Sequence, residues 1–250
     1  MSESLRNLVI VAQLAALISL LWRGLAKTHS ALVAYLTANI IFGYVLSGLS
    51  QESVEYLRGW GTALPVVTAL KVWMGWQAYG RSLELFPFAR RVSHFALLGI
   101  CVASGLLAQM AQQTQSVYGY FSRLEQGVSL ALGVFCFGMI PLLNFFYSPV
   151  RRRNAIVQEW MLMIHYLGVA LWILAAHWQA YGVSDAVFVV TTVAVCLGWA
   201  TLLTRNGEQL PPAPPGTGTE QADKLFAERQ MAALVDDVRN AGDSTRASKP

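Results

Sequence analysis

Seven apolar runs constrain this chain more than any other feature of its sequence. They lie at about 7–24, 31–49, 63–86, 94–111, 127–147, 157–178 and 185–204. A helix of about 20 residues crosses the ~30 Å hydrocarbon core of a bilayer. Lipid offers no partner to an open backbone amide, so each run is expected to be helical. The runs are continuous and lack the alternation of a barrel strand. Only 13% of the residues are charged, against about 25% in an average soluble domain. The expected fold class is therefore all-α: a polytopic membrane protein, a bundle of seven transmembrane helices with a cytoplasmic tail.

The charges that remain are sorted by side. Arg23 and Lys27 follow the first run, Arg81, Arg90 and Arg91 the third, Arg151, Arg152 and Arg153 the fifth, and Arg205 the seventh. On the other side Arg6, Arg58 and Arg123 are diluted by Glu3, Glu52, Glu55, Glu125 and Asp185. Cations collect on the cytoplasmic side of membrane proteins. The expected location is a cell (inner) membrane, multi-pass, with the N-terminus outside and the C-terminus cytoplasmic. The first run follows Arg6 and meets Arg23 without an Ala-x-Ala motif, so it reads as a retained span and not a cleaved signal. Net charge is +4, but it sits at segment ends, a topology pattern that gives no reason to expect a nucleic acid partner.

Beyond residue 205 the composition changes. Residues 206–219 read as a Pro/Gly-rich linker, stiff in its proline half. Residues 220–240 read as an amphipathic cytoplasmic helix, with Ala227, Met231, Leu234, Val235 and Val238 at helical spacing. Acids outnumber bases there, which favours a cytoplasmic protein partner over an anionic lipid face. Residues 241–250 read as a disordered tail. Cys101, Cys136 and Cys196 all lie within apolar runs and read as buried thiols.

Lys71 is the one fully charged side chain deep within an apolar run. Placing it in hydrocarbon costs at least ~2.5 kcal/mol, so it is expected to face the bundle interior. The flanking positions on its face are Val67 and Thr68, then Met74, Gly75 and Ala78. Thr68 offers a hydroxyl, and Gly75 and Ala78 leave room for solvent. The acids of the chain fall in segment ends and loops, so the partners expected for Lys71 are neutral groups, a bound anion or another chain. Lys71 reads either as a counter-charge for an anionic ligand or a proton-relay member in an outward-opening cavity, or as a structural lysine. His165 lies mid-run in the sixth segment and reads either as a proton relay or as a histidine bonded to a neighbouring helix. A haem would need a second histidine at its level; His29, His94 and His177 lie near the edges, so no cofactor is expected. Asn39 and Gln77, with Gln13 and Asn144, are amides within runs that either line a cavity or join helices. The speculative ligand or ion pathway is thus Lys71, His165, Asn39 and Gln77. Gly99, Ala103 and Ser104-Gly105 predict a close helix contact in the fourth segment, and Pro141 predicts a kink in the fifth.

Catalytic and metal motifs are absent: the sequence holds no phosphate-binding Gly-rich loop, no His-Glu-x-x-His, no Cys-x-x-Cys and no Gly-x-Ser-x-Gly. The seventh run has no lysine for a retinal Schiff base. The run from Tyr35 to Tyr44, followed by Lys71-Val-Trp-Met-Gly-Trp-Gln77-Ala-Tyr79, resembles uncharacterised seven-helix bacterial integral membrane proteins. That resemblance covers the second and third runs and implies no activity. The leading functional expectation is a non-enzymatic membrane sensor or accessory subunit. The alternative is a small transporter or channel using Lys71 and His165, and the third reading is an intramembrane enzyme.

Overall fold

The computed structural model describes residues 3–49, 53–84, 86–110, 117–147, 152–177 and 181–209. All regular structure among them is helical. The helices are α1 (Glu3–Trp22), α2 (Ser30–Ser47), α3 (Val54–Ser82), α4 (Pro87–Met110), α5 (Val117–Tyr147), α6 (Arg153–His177) and α7 (Tyr181–Leu202), followed by a 3-10 turn at Asn206–Glu208. Five of the seven, α1, α2, α5, α6 and α7, are long and apolar enough to cross a membrane. The predicted module at 220–240 and the tail beyond it lie outside the described residues, as do the side chains of Asn144 and His177.

Each helix packs on its neighbours in sequence, and α1 closes the ring against α7. The third helix also reaches across to α5 and α6, so one face of it lies in the bundle interior. Its N-terminus is capped by Ser53, whose side chain accepts from the Tyr56 amide at 3.0 Å, which satisfies one of the free amides of the first turn. It runs 29 residues, well beyond its apolar stretch, and carries Tyr56, Arg58 and Trp60 on helix where the hydropathy pattern ended. α5 likewise begins ten residues before the apolar run at 127–147 and places Glu125 in its third turn.

The distribution of polarity is inverted relative to a water-soluble bundle. Lys71, Glu125, Asn154, Gln158, Glu159 and His165 are buried, while Val11, Ile18, Phe95, Val102, Val134, Phe137 and Val190 are each more than half exposed. Water rarely faces an apolar surface of that extent on a soluble monomer. The buried core includes Tyr79, Tyr166 and Trp199 with Leu20, Leu32, Leu36, Met74, Leu97 and Leu132.

The contact predicted for the fourth segment forms in part, at Ser104, and tighter approaches lie between α6 and α7. A Cβ added at Gly168 of α6 would stand 2.6 Å from the Thr191 hydroxyl of α7, and one at Gly198 would strike Met161. Gly99 faces open space, and in α4 it is Ser104 that meets Gly127 of α5. Pro141 lies inside α5 and Pro65 inside α3.

Candidate functional site

Gln77 first shows how α3 organises its neighbours. Its amide oxygen accepts from Ala31 N at 3.1 Å and its amide nitrogen donates to Ser30 Oγ at 2.9 Å. It therefore caps the start of α2, where His29 makes no side-chain cap. That places Gln77 in helix joining. Asn39 donates to the Tyr35 carbonyl one turn back at 2.8 Å.

Two residues of the predicted pathway come together at the floor of a cavity. The cavity holds ≈ 370 Å³ and runs inward from the end of the bundle that carries Arg6 of α1, Ser47 of α2, Tyr56 and Trp60 of α3 and Asp185 of α7. Its inner wall presents Lys71, Glu125, Tyr35 and His165, and Gln13 and Asn39 also border it. Phe42, Trp60, Trp172 and Phe188 supply aromatic surface. Predominantly apolar walls with a few convergent polar groups are the usual build of a small-molecule site, and the volume falls in the usual range. Gln77 does not border this cavity; it borders a groove at the other end of α3.

Lys71 faces the bundle interior, 3% exposed. The expectation that no acid of the chain lies at the level of Lys71, leaving neutral groups, a bound anion or another chain, is corrected: its ammonium forms an ion pair with the Glu125 carboxylate and donates to Ser129 Oγ at 2.9 Å. The Ser129 hydroxyl also lies 3.3 Å from Glu125 Oε1, to which it can donate. The reason is helix length. An apolar-run boundary at residue 127 put Glu125 in a loop, whereas α5 starts at Val117 and turns Glu125 inward. A periodic signal was present: Glu125, Val128, Ser129, Leu132 and Cys136 recur at three- and four-residue spacing and are all buried. The hydroxyl expected from Thr68 has no hydrogen-bond partner among the described residues. Gly75 is buried, and the apolar side chains of Leu97 and Leu132 face it at ordinary contact distance. Tyr166 of α6 donates to the Lys71 carbonyl at 2.8 Å, which ties the backbone at this level to a third helix. His165 bonds across the bundle, with its Nε2 2.9 Å from the Tyr35 hydroxyl of α2, and its ring meets Tyr35 edge to face at 5.7 Å.

The opposite end of the bundle is occupied by a cluster that the sequence did not suggest, centred on Glu208. Its carboxylate pairs with Arg81 of α3, lies 2.9 Å from His29 Nε2 and accepts from Asn154 Nδ2 at 2.6 Å. Arg152 donates to the Glu208 carbonyl at 2.9 Å. Asn154 also donates to the Thr204 carbonyl at 2.7 Å and accepts from the Thr204 amide at 3.1 Å. Gln158 holds the other ring nitrogen of His29 at 3.0 Å. Partial burial pushes the Glu208 carboxyl up, but the bonds from His29 and Asn154 and the Arg81 charge outweigh it, so its pKa lies below the ordinary value. The segment after α7 is thereby pinned across α2, α3 and α6.

No group of three or more potential metal ligands occurs among the described residues. Comparison with protein-family models, with curated proteins and with solved structures finds no match to this chain.

Proposed function

We propose that this chain is a non-enzymatic integral membrane sensor, a seven-helix bundle of the bacterial inner membrane that receives a small ligand in the cavity above Lys71. The inverted polarity supports the membrane setting. Buried charges and an apolar exterior suit lipid as the surrounding solvent. The cation asymmetry read from the sequence supports an outward N-terminus and a cytoplasmic C-terminus. α3 and α4 are less apolar than the other five, and in this reading their polar side chains face the bundle while Val66, Phe95 and Val102 face lipid.

The observation that carries the reading is a cavity with one closed end. It opens beside Arg6 and ends on the Lys71–Glu125 and Tyr35–His165 pairs, while the Glu208 cluster occupies the opposite end of the bundle. Its deep ionic groups are already matched to each other, which favours reversible binding over covalent chemistry. The C-terminal segment is bonded to α2, α3 and α6 at the closed end, a placement suited to passing a change in the bundle to a cytoplasmic protein partner on 220–240. A transporter is the second reading, because the Glu208 cluster also stands where an inner gate would be.

Access separates the two. A Val67→Cys variant carries its thiol on the cavity wall. An impermeant maleimide should label it in intact cells and not in inside-out vesicles, with the unsubstituted protein as the blank for the native cysteines. Labelling from both faces would favour transport. A thiol that reacts from neither face would remove the cavity as a site and both readings with it.

A further inference from the structure

We propose that a groove between α3 and α4, at the Arg81 end, holds the headgroup of an anionic phospholipid. The groove encloses ≈ 420 Å³ and is bordered by Trp73, Trp76, Gln77, Gly80, Arg81, Glu84 and Arg90. It is distinct from the ligand cavity, with which it shares no lining residue.

Three features make it a built site. The His94 ring of α4 stacks flat on Trp76, centroids 3.8 Å apart and planes at 10°, and its Nε2 lies 3.2 Å from the Trp76 carbonyl. This closes one wall. Gly80 forms the base: a Cβ there would stand 3.2 Å from His94 Nε2 and 3.7 Å from Arg90 Nε, so the two side chains fold over a residue that has none. The charge of the groove is positive. Arg81 is matched by Glu208 and the Glu84 carboxylate by Arg152 at 2.8 Å, which leaves Arg90 exposed and without an acid partner among the described residues. Trp73 is 44% exposed and lies about 12 Å inward of Arg81 along the helix, a position for its ring to meet an acyl chain below the headgroup. On the same two helices Val66, Phe95, Leu98 and Val102 are exposed and apolar, a surface for acyl chains. Basic pockets between helices on the cytoplasmic side are suited to anionic headgroups. A lipid is favoured over a free anion because phosphate alone would leave the tryptophan and the apolar faces beyond it uncovered.

The inference rests on the membrane placement above, so the test begins there. The full chain should stay with the membrane fraction after an alkaline wash; release would overturn the membrane reading and this proposal together. Detergent-purified full chain is then titrated with phosphatidylglycerol and with phosphatidylcholine of the same acyl chains, and bound lipid is counted by native mass spectrometry. Phosphatidylglycerol should bind about fivefold tighter, the effect of one basic contact. Arg90→Gln should abolish that preference, and Arg153→Gln, an exposed cation at the same end, should leave it intact. Trp73→Ala should weaken both lipids. Equal binding of the two lipids, or an equal loss in Arg153→Gln, would overturn the headgroup site while leaving the membrane reading standing. Displacement of phosphatidylglycerol by millimolar inorganic phosphate would show a free-anion site and overturn the lipid assignment.

Discussion

The Lys71–Glu125 pair offers a quantitative test of how the bundle carries charge. Lys71 and Glu125 side chains are 4% and 11% exposed, and each contacts the Ser129 hydroxyl. Removing one member of a buried pair costs ~3–5 kcal/mol, because the survivor stays buried and uncompensated. Glu125 borders the cavity, where water can approach, so the low end applies: ~3 kcal/mol for Lys71→Met. Glu125→Gln strands the ammonium at the same level and should cost a similar amount. Replacing both removes the uncompensated charge. The Lys71→Met/Glu125→Gln double variant should therefore lie within ~1 kcal/mol of the parent and can exceed it, since a buried pair seldom repays its desolvation. Had Lys71 met only neutral groups, Lys71→Met alone would be the tolerated change.

Reversible unfolding in mixed micelles, followed by tryptophan fluorescence, gives the four free energies of the cycle. The coupling should be ~5–7 kcal/mol in favour of the pair, the two single losses less the small change in the double. A coupling below ~0.5 kcal/mol is what independent sites give, and it would refute the pairing. A double variant as unstable as the two singles added together would show that the two residues hold separate structures in place.

Glu208 should make stability depend on acid. Its folded pKa lies below the ordinary 4.5, so its contribution is complete above about that pH and fades as pH falls through the lower folded value; unfolding of Glu208→Gln between pH 6 and 3 should lack that component, and an unchanged profile would argue against the cluster. Gly168→Ala should destabilise by ~1–3 kcal/mol, because the added methyl meets the short, β-branched Thr191 at 2.6 Å; Gly99→Ala, with nothing within 4 Å, should stay within ~0.5 kcal/mol, and equal losses would sink the contact argument. A reporter fused after Arg205 should be active in the cytoplasm and one inserted between residues 112 and 118 should be active outside, whereas the same response at both points would refute the proposed orientation.

Helix number, helix type and the inward direction of Lys71 were legible because hydropathy and a 3.6-residue period report on burial. Of the face assigned to Lys71, Thr68, Met74, Gly75 and Ala78 are buried with it and Val67 is partly buried. Helix ends were less legible, since a helix continues past the apolar stretch wherever hydrogen bonding and neighbours allow it. That single error hid Glu125, although its spacing to Ser129, Leu132 and Cys136 would have placed it on the inner face of α5. Glu208 had no such signal. It stands in a short polar segment after the last apolar run, and its partners are 179, 127 and 54 residues away in sequence. No periodicity within a segment reports contacts of that range.

The third helix joins the two polar centres. Lys71 lies at the cavity floor and Arg81 at the Glu208 cluster, ten residues apart on one rod, or ~15 Å along the axis. Both ends of that rod are fixed by groups from other helices: Tyr166 and Glu125 at one, His29 and Glu208 at the other. A ligand that displaced Lys71 from Glu125 would alter one anchor, and the packed rod would carry any shift to the other. Binding alone would not suffice, because a ligand moves an equilibrium only by its difference in affinity for the two arrangements. For the proposed sensor, that difference resides in whether Lys71 is paired with Glu125 or with the ligand. Lys71→Met/Glu125→Gln, which removes the choice while keeping the bundle, should then leave the Glu208 cluster insensitive to anything placed in the cavity.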